Sequence, residues 1–400
     1  MPAYIVRAAH CDHRTSEEEI YDTLCRITSP LNRSWERIEQ ARQVVIKANM
    51  MWHPERIRYF EGRRQELVDD AVLRAVLRLL RERTSARLIV TDTSFAPPGS
   101  RPGPELNFRP LLDAFGVEYV ESNDPPFEIY KVPGGGCMFS QYQLSACLAQ
   151  ADAVVSVAKM KNHAFMGVTL CLKNLFGLPP VPPYGRPRHY FHHIIRLSYV
   201  LPDLGIITQP ALNIIDGLVG QSGREWGGQG RVGNVLVAGD HVVATDACSA
   251  WLMGHDPAAD WPTPPFRRDR NPLLVAAENG FGTVDLSQID FETEVDRPVA
   301  SFDSDEVDPN ERVESWRRTT CEQALFYQNH QHEMIEQYAG EYIYLQDNKV
   351  IWHGEDPGSL GSRRVLSGEH KDSALWLKWV DPEEAEGEHF EVYERILTGL

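Results

Sequence analysis

The sequence predicts an α/β protein: a mostly parallel sheet with helices on both faces, plus a small C-terminal α+β appendage. Three observations predict it. Short β-branched runs alternate with amphipathic stretches over the first three hundred residues, several of the runs end in polar groups, and the alternation stops near residue 302 in an acidic stretch, SFDSDEVDPNER. A chain of 400 residues exceeds what one compact core usually needs, so the expected division is 1–301 for the α/β domain and 302–400 for the appendage.

Residues 43–49 (QVVIKAN) read as a buried parallel strand delivering polar side chains at its end, with Lys47 and Asn49 on one face. Residues 65–82 carry apolar pairs four apart, the pattern of an amphipathic helix, and 87–91 (RLIVT) give the next strand of a βαβ unit. Residues 96–110 and 133–137 (PGGGC) are Pro/Gly-rich and read as loops, the second after a strand at 127–132. A short helix at 143–150 and a strand at 153–158 follow. Strands at 212–215 and 232–238 and helices at 242–253 and 271–279 complete the alternation. In the tail, 313–338 read as helical, and EYIYLQDNKVIWHGE as a hairpin turning at Asp347-Asn348.

A formal charge of -17 argues against wholesale binding of nucleic acid or an anionic membrane surface. No apolar run is long enough to span a bilayer, and the N-terminus lacks the regions of a secretory signal, so a cytoplasmic location is expected. The seven cysteines are scattered and never in CxxC spacing; they read as reduced thiols, with no local iron–sulfur motif.

Positive charge is unevenly chosen: only 8 of the 40 basic residues are lysines, and Lys159, Lys161 and Lys173 fall within fifteen residues of one another. Arginine serves wherever a solvated cation suffices, so lysine points to what an ammonium does better: shifting its pKa, acting as base or nucleophile, or holding an anion as a point charge. If the strand at 153–158 stays extended, Lys159 and Lys161 share a face. A helix after Gly167 would set Val168, Leu172 and Leu175 on an apolar stripe and Thr169 and Lys173 on another face. Ligands of open α/β sheets bind at the carboxyl ends of strands, where Lys47, Asn49, Lys159, Lys161 and His163 would converge. Crowded lysines lower one another's pKa, so one is neutral enough to act as a base; alternatively all stay charged and clamp a carboxylate or phosphate.

Asp216 is expected at a strand terminus, Asp240 as the cap of the following helix, and Asp246 as a buried carboxylate paired with a lysine of the cluster. Arg188, His189, His192 and His193 (RHYFHH) suit anion binding or simple solvation better than a metal, for which no closed ligand set can be assembled. The glycines of GREWGGQGRVG do not open a helix after a strand, so no dinucleotide fingerprint is present.

Four segments, VVIKANM, VVSVAKMKNHAFMGVTLCLKNLFG, ALNIIDGLVGQ and VLVAGDHVVATDACSAWLMGHDP, together resemble the domain-of-unknown-function family 362. The resemblance implies an α/β fold and puts Lys47, Asn49, Lys159, Lys161, His163, Lys173, Asn174, Asp216, Asp240 and Asp246 on motif positions; it supplies no reaction. Many relatives carry a ferredoxin-like cysteine insertion that this sequence lacks.

The leading expectation is an enzyme binding a small anionic molecule and using Lys159, Lys161, His163 and Lys173 for proton transfer, as an isomerase or lyase does. Lys47, Asn49, Asn174, Arg188, His189, Asp216, Asp240 and Asp246 would bind the ligand. Two alternatives are a redox protein holding a metal or cluster through dispersed residues such as Cys137, Cys171, His189 and His192, and a non-catalytic metabolite-binding or assembly subunit. A homo-oligomer or protein partner would engage the C-terminal hairpin.

Overall fold

The computed structural model describes residues 4–94, 102–181, 190–357 and 376–399. Its centre is a nine-stranded mixed sheet. Eight strands run in the order Ile289–Thr293, Tyr4–His10, Gln229–Gly239, Leu212–Ser222, Ala153–His163, Gln43–Ala48, Arg87–Asp92 and Glu118–Glu121. The ninth, Gly167–Thr169, folds back antiparallel on the end of Ala153–His163. From Leu212–Ser222 outward to Glu118–Glu121 the pairings are parallel, and only Gln229–Gly239 runs against both its neighbours.

Strand alternation sends one set of side chains to each face. Val45, Val154, Ala158 and Ile215 join one hydrophobic cluster, and Val44, Ile46, Val155 and Ile214 the other. Both faces are covered, which is why these strands read as continuous apolar runs. The helix Asp70–Arg83 packs Val72, Val76 and Leu80 into the second cluster, with Asp69 capping its first turn through Ala71 N. The helix Arg196–Thr208 lies in the first cluster, and so do Val313, Trp316 and Trp376 of the C-terminal region. That region carries helices Asn310–Asn329 and Gln331–Tyr338 and a three-stranded sheet, in which Asp347 and Asn348, both at positive φ, turn the hairpin. Buried ion pairs Arg196–Glu388 and Arg317–Asp269 tie it to the rest.

Several elements differ from their sequence signals. The helix expected over 65–82 begins only at Asp70, because Asp69 satisfies its first turn and residues 65–68 form a buried connection instead. Residues 141–145 (QYQLS) alternate and pair antiparallel with Phe127–Lys131 rather than forming a helix, leaving one short 3-10 turn at Ala146–Leu148. Part of the Pro-rich stretch at 96–110 is the start of helix Gly103–Ala114; Pro104 sits in its first turn, where a missing N–H costs nothing. Helix does not follow Gly167 directly. The chain first makes the strand Gly167–Thr169, and the helix is the single turn Cys171–Asn174. Gly167 has φ +73, and a Cβ there would come within 2.8 Å of the Phe266 ring.

Candidate active site

The strand Ala153–His163 is longer than its apolar run because Lys159, Lys161 and His163 continue it, paired on one side with Leu212–Ser222 and on the other with Gly167–Thr169. Beyond its end, and beyond the end of Gln43–Ala48, lies a cavity of about 390 Å³, within the range of small-molecule sites. Strand ends and the connections after them supply Lys47, Asn49, Asp92, Thr93, Lys161 and His163 to its wall. The short return strand and helix add Thr169, Lys173 and Asn174, and two loops add Trp52, Glu225 and Trp226.

Lys161 is 1% exposed. Its Nζ donates to the Glu66 carbonyl oxygen at 2.8 Å and lies 4.1 Å from the centroid of the Trp226 ring. Burial lowers its pKa to about 8, against the opposing pull of Glu66 and Glu225. The connection at 65–68, misread from the sequence as helix, is what brings Glu66 here.

His163 lines the cavity with a neutral ring. Its Nδ1 accepts from the backbone N–H groups of Phe165 at 3.0 Å and Met166 at 3.2 Å, so the neutral ring carries its proton on Nε2. Burial, with Lys173 and Lys161 nearby, holds its pKa well below the usual range. The approach of Glu225 to Nδ1 at 3.6 Å is therefore not an ion pair. This tautomer also leaves Nε2 without the lone pair a metal would need.

Lys47 is pinned by a 2.9 Å ion pair to Asp92 and a 2.8 Å hydrogen bond to Asn174 Oδ1. The Asn174 amide in turn donates to Lys47 O and Val157 O, tying the single-turn helix to the strand ends. Lys173 lies over the Phe176 ring at 4.6 Å. Four polar atoms of the wall, Asn49 Oδ1, Thr93 Oγ1, Thr169 Oγ1 and His192 Nδ1, are buried without a hydrogen-bond partner among the described residues. Each such group costs about 1–3 kcal/mol until something satisfies it.

The sequence matches the model of the domain of unknown function DUF362 over residues 44–251, just over half of the 400. The chain belongs to the DUF362 family. It is 25% identical to the thylakoid-associated protein sll1697 of Synechocystis sp. over 244 residues, 59% of this chain and 70% of that one. Among solved structures it is similar to the lactate racemase apoprotein from Thermoanaerobacterium thermosaccharolyticum, with TM-score 0.36 and 12% identity. That match covers 62% of this chain and little more than half, 56%, of the other.

The DUF362 segment contains every residue the sequence singled out, but the structure separates them. Lys47, Asn49, Lys161, His163, Lys173 and Asn174 share the cavity. Lys159 does not reach it: its Nζ closes a fully buried ion pair with Asp216 at 3.0 Å. Asp216 is not at a strand terminus, because Leu212–Ser222 runs six residues further; it sits directly opposite Lys159 and also accepts from Asp69 N at 2.8 Å. Asp240 lies at the opposite end of the sheet, since Gly239 ends the one strand that runs against its neighbours. It accepts from Ile5 N at 2.9 Å and pairs with Arg33, and His241, not Asp240, caps the helix Val242–Leu252.

Asp246 is buried as expected but its partners are not lysines. It accepts from Cys171 N at 2.9 Å and Leu172 N at 2.7 Å, fixing the turn that presents Lys173 and Asn174. Burial raises its pKa to about 8 against those two bonds. Arg188 and His189 lie outside the described residues; His192 lines the cavity, and His193 is buried with Nδ1 beside Ile194 O. Cys171 Sγ faces the carbonyls of Ser156 and Ile214, while Cys137 lies beside Asp203, to which its N–H donates. Among the described residues no three His, Cys, Asp or Glu side chains converge on a common point, and no helix is long and apolar enough to cross a membrane.

Glu66, Thr93, Glu225 and the two tryptophans were not legible as site residues. The nearest signal was in GREWGGQGRVG, set aside for failing the dinucleotide pattern although it carries Glu225 and Trp226.

Proposed function

We propose that this protein is an acid–base enzyme acting on a small organic anion, with Lys161 as the proton-transferring group. The observation that carries the reading is Lys161 itself: a buried amine brought to about pKa 8, held by one carbonyl and one aromatic face, and opening on a cavity otherwise rich in donors. At pH 7 roughly one such amine in ten is neutral, enough for a general base.

The rest of the wall suits an oxyanion. Lys173, the His163 Nε2–H and the hydroxyls of Thr93 and Thr169 can each donate to a carboxylate or phosphate oxygen, and the two hydroxyls otherwise go unsatisfied. With a carboxylate so held, a C–H beside it would face Lys161. The C–H bond breaks, its proton forms an N–H on Nζ, and the electron pair moves onto the carboxylate oxygens, where those donors stabilise it. Delivering that proton from Nζ to an adjacent unsaturated carbon gives an isomerase; expelling a neighbouring leaving group gives a lyase.

The test is exchange in D2O. Incubation with a panel of small carboxylic acids should place deuterium on the carbon beside the carboxylate for those that bind, and Lys161→Met should abolish this. Acids that bind without exchanging would make the protein a metabolite binder instead.

A further inference from the structure

The cavity has two chemically distinct parts, and only one of them is needed for a bare anion. Lys161, Lys173 and Thr169 supply charge and donors, but Trp52 and Trp226 also form part of the wall, their rings edge to face with centroids 4.7 Å apart. Both are only half-buried, and both come from loops rather than from the sheet, so neither is needed to build the core. One face of Trp226 already carries the Lys161 amine, 4.1 Å from its centroid, and Arg56 lies 5.3 Å from the centroid of Trp52; an inorganic anion or a two-carbon acid would make no use of the rest of these rings. A flat apolar group would meet them in the offset or edge-on arrangement that aromatic rings prefer. At about 390 Å³ the space is near the small end of ligand sites, which favours a single ring over a dinucleotide.

From this we infer that the substrate is a ring-bearing carboxylic acid, its carboxylate on the lysine and threonine side and its ring against Trp52 and Trp226. The inference rests on the reading of this cavity as an anion-binding acid–base site, and narrows it.

Isothermal titration of the full chain with phenylacetate, acetate and inorganic phosphate tests it. Phenylacetate should bind at least about tenfold more tightly than acetate, and Trp52→Ala and Trp226→Ala should each bring that ratio toward one, with circular dichroism confirming the fold. If acetate binds saturably, is lost in Lys161→Met, and phenylacetate is no tighter, the ring is wrong while the anion site stands. If the preference for phenylacetate survives both tryptophan substitutions, the ring lies elsewhere and the inference fails. If none of the three binds, the anion-site reading falls and this inference with it.

Discussion

Lys159 and Asp216 stand directly opposite each other on neighbouring parallel strands and close a fully buried ion pair at 3.0 Å. Two residues further along the same strand, Lys161 is held by a carbonyl oxygen and an indole face instead. The first lysine is part of what holds the sheet together, and the second is left with chemistry to do.

Breaking the pair should be costly. Lys159→Met leaves Asp216 charged and buried among apolar strands, a situation that typically costs about 3–5 kcal/mol. Chemical denaturation of the variant at pH 7 should show that loss. A loss under about 1 kcal/mol would mean that the Asp216 carboxylate is satisfied by its backbone donors alone.

Lys161→Met should do the opposite. The native pKa of about 8 lies below the 10.5 of a free lysine, so between those values the unfolded chain binds a proton that the folded protein has released, and stability rises with pH through that window. Below about pH 8 the full cost of burying the charge is present, about 3 kcal/mol. Removing the amine relieves it but takes the donor from the Glu66 carbonyl, about 1 kcal/mol. A net gain of about 2 kcal/mol at pH 7, shrinking above pH 8, is expected together with loss of activity. A variant that is less stable at pH 7 would show that the amine serves the fold.

Gly177 explains a glycine that no turn demands. A Cβ there would lie 2.3 Å from both Lys47 Cε and Asp92 Oδ1, so Gly177→Ala must displace the ion pair at the cavity wall. Ligand affinity should fall about tenfold or more while the sheet persists, as titration and far-ultraviolet circular dichroism would register. Unchanged affinity would place the Lys47–Asp92 pair outside the binding machinery.

The sheet was legible because its strands are buried on both faces and so announce themselves as apolar runs. The strand at 141–145 was not, because five alternating residues before a short 3-10 turn look like the start of a helix. Within the site, the scarcity of lysine pointed to Lys159, Lys161 and Lys173 and the strand-end pattern to Lys47, but neither could tell Lys159 from Lys161. That difference depends on register: Asp216 meets Lys159, while a bulge between Asp216 and Gln221 brings Gln221 opposite Lys161. Asp246 likewise looked like a counter-ion, because a buried carboxylate needs partners and sequence does not show that two backbone amides would supply them. Trp52, Glu225 and Trp226 come from loops, whose positions no periodicity encodes.

The central claim is the depressed pKa of Lys161, and the most direct measurement is a pH titration of the protein carrying 13C at the lysine Cε, followed by two-dimensional NMR. With only eight lysines in the chain, the spectrum can be assigned by single substitutions. One signal, absent in Lys161→Arg, should titrate near pH 8. If the Lys161 signal stays at its charged position up to pH 10, the amine is an ordinary cation and the acid–base account fails.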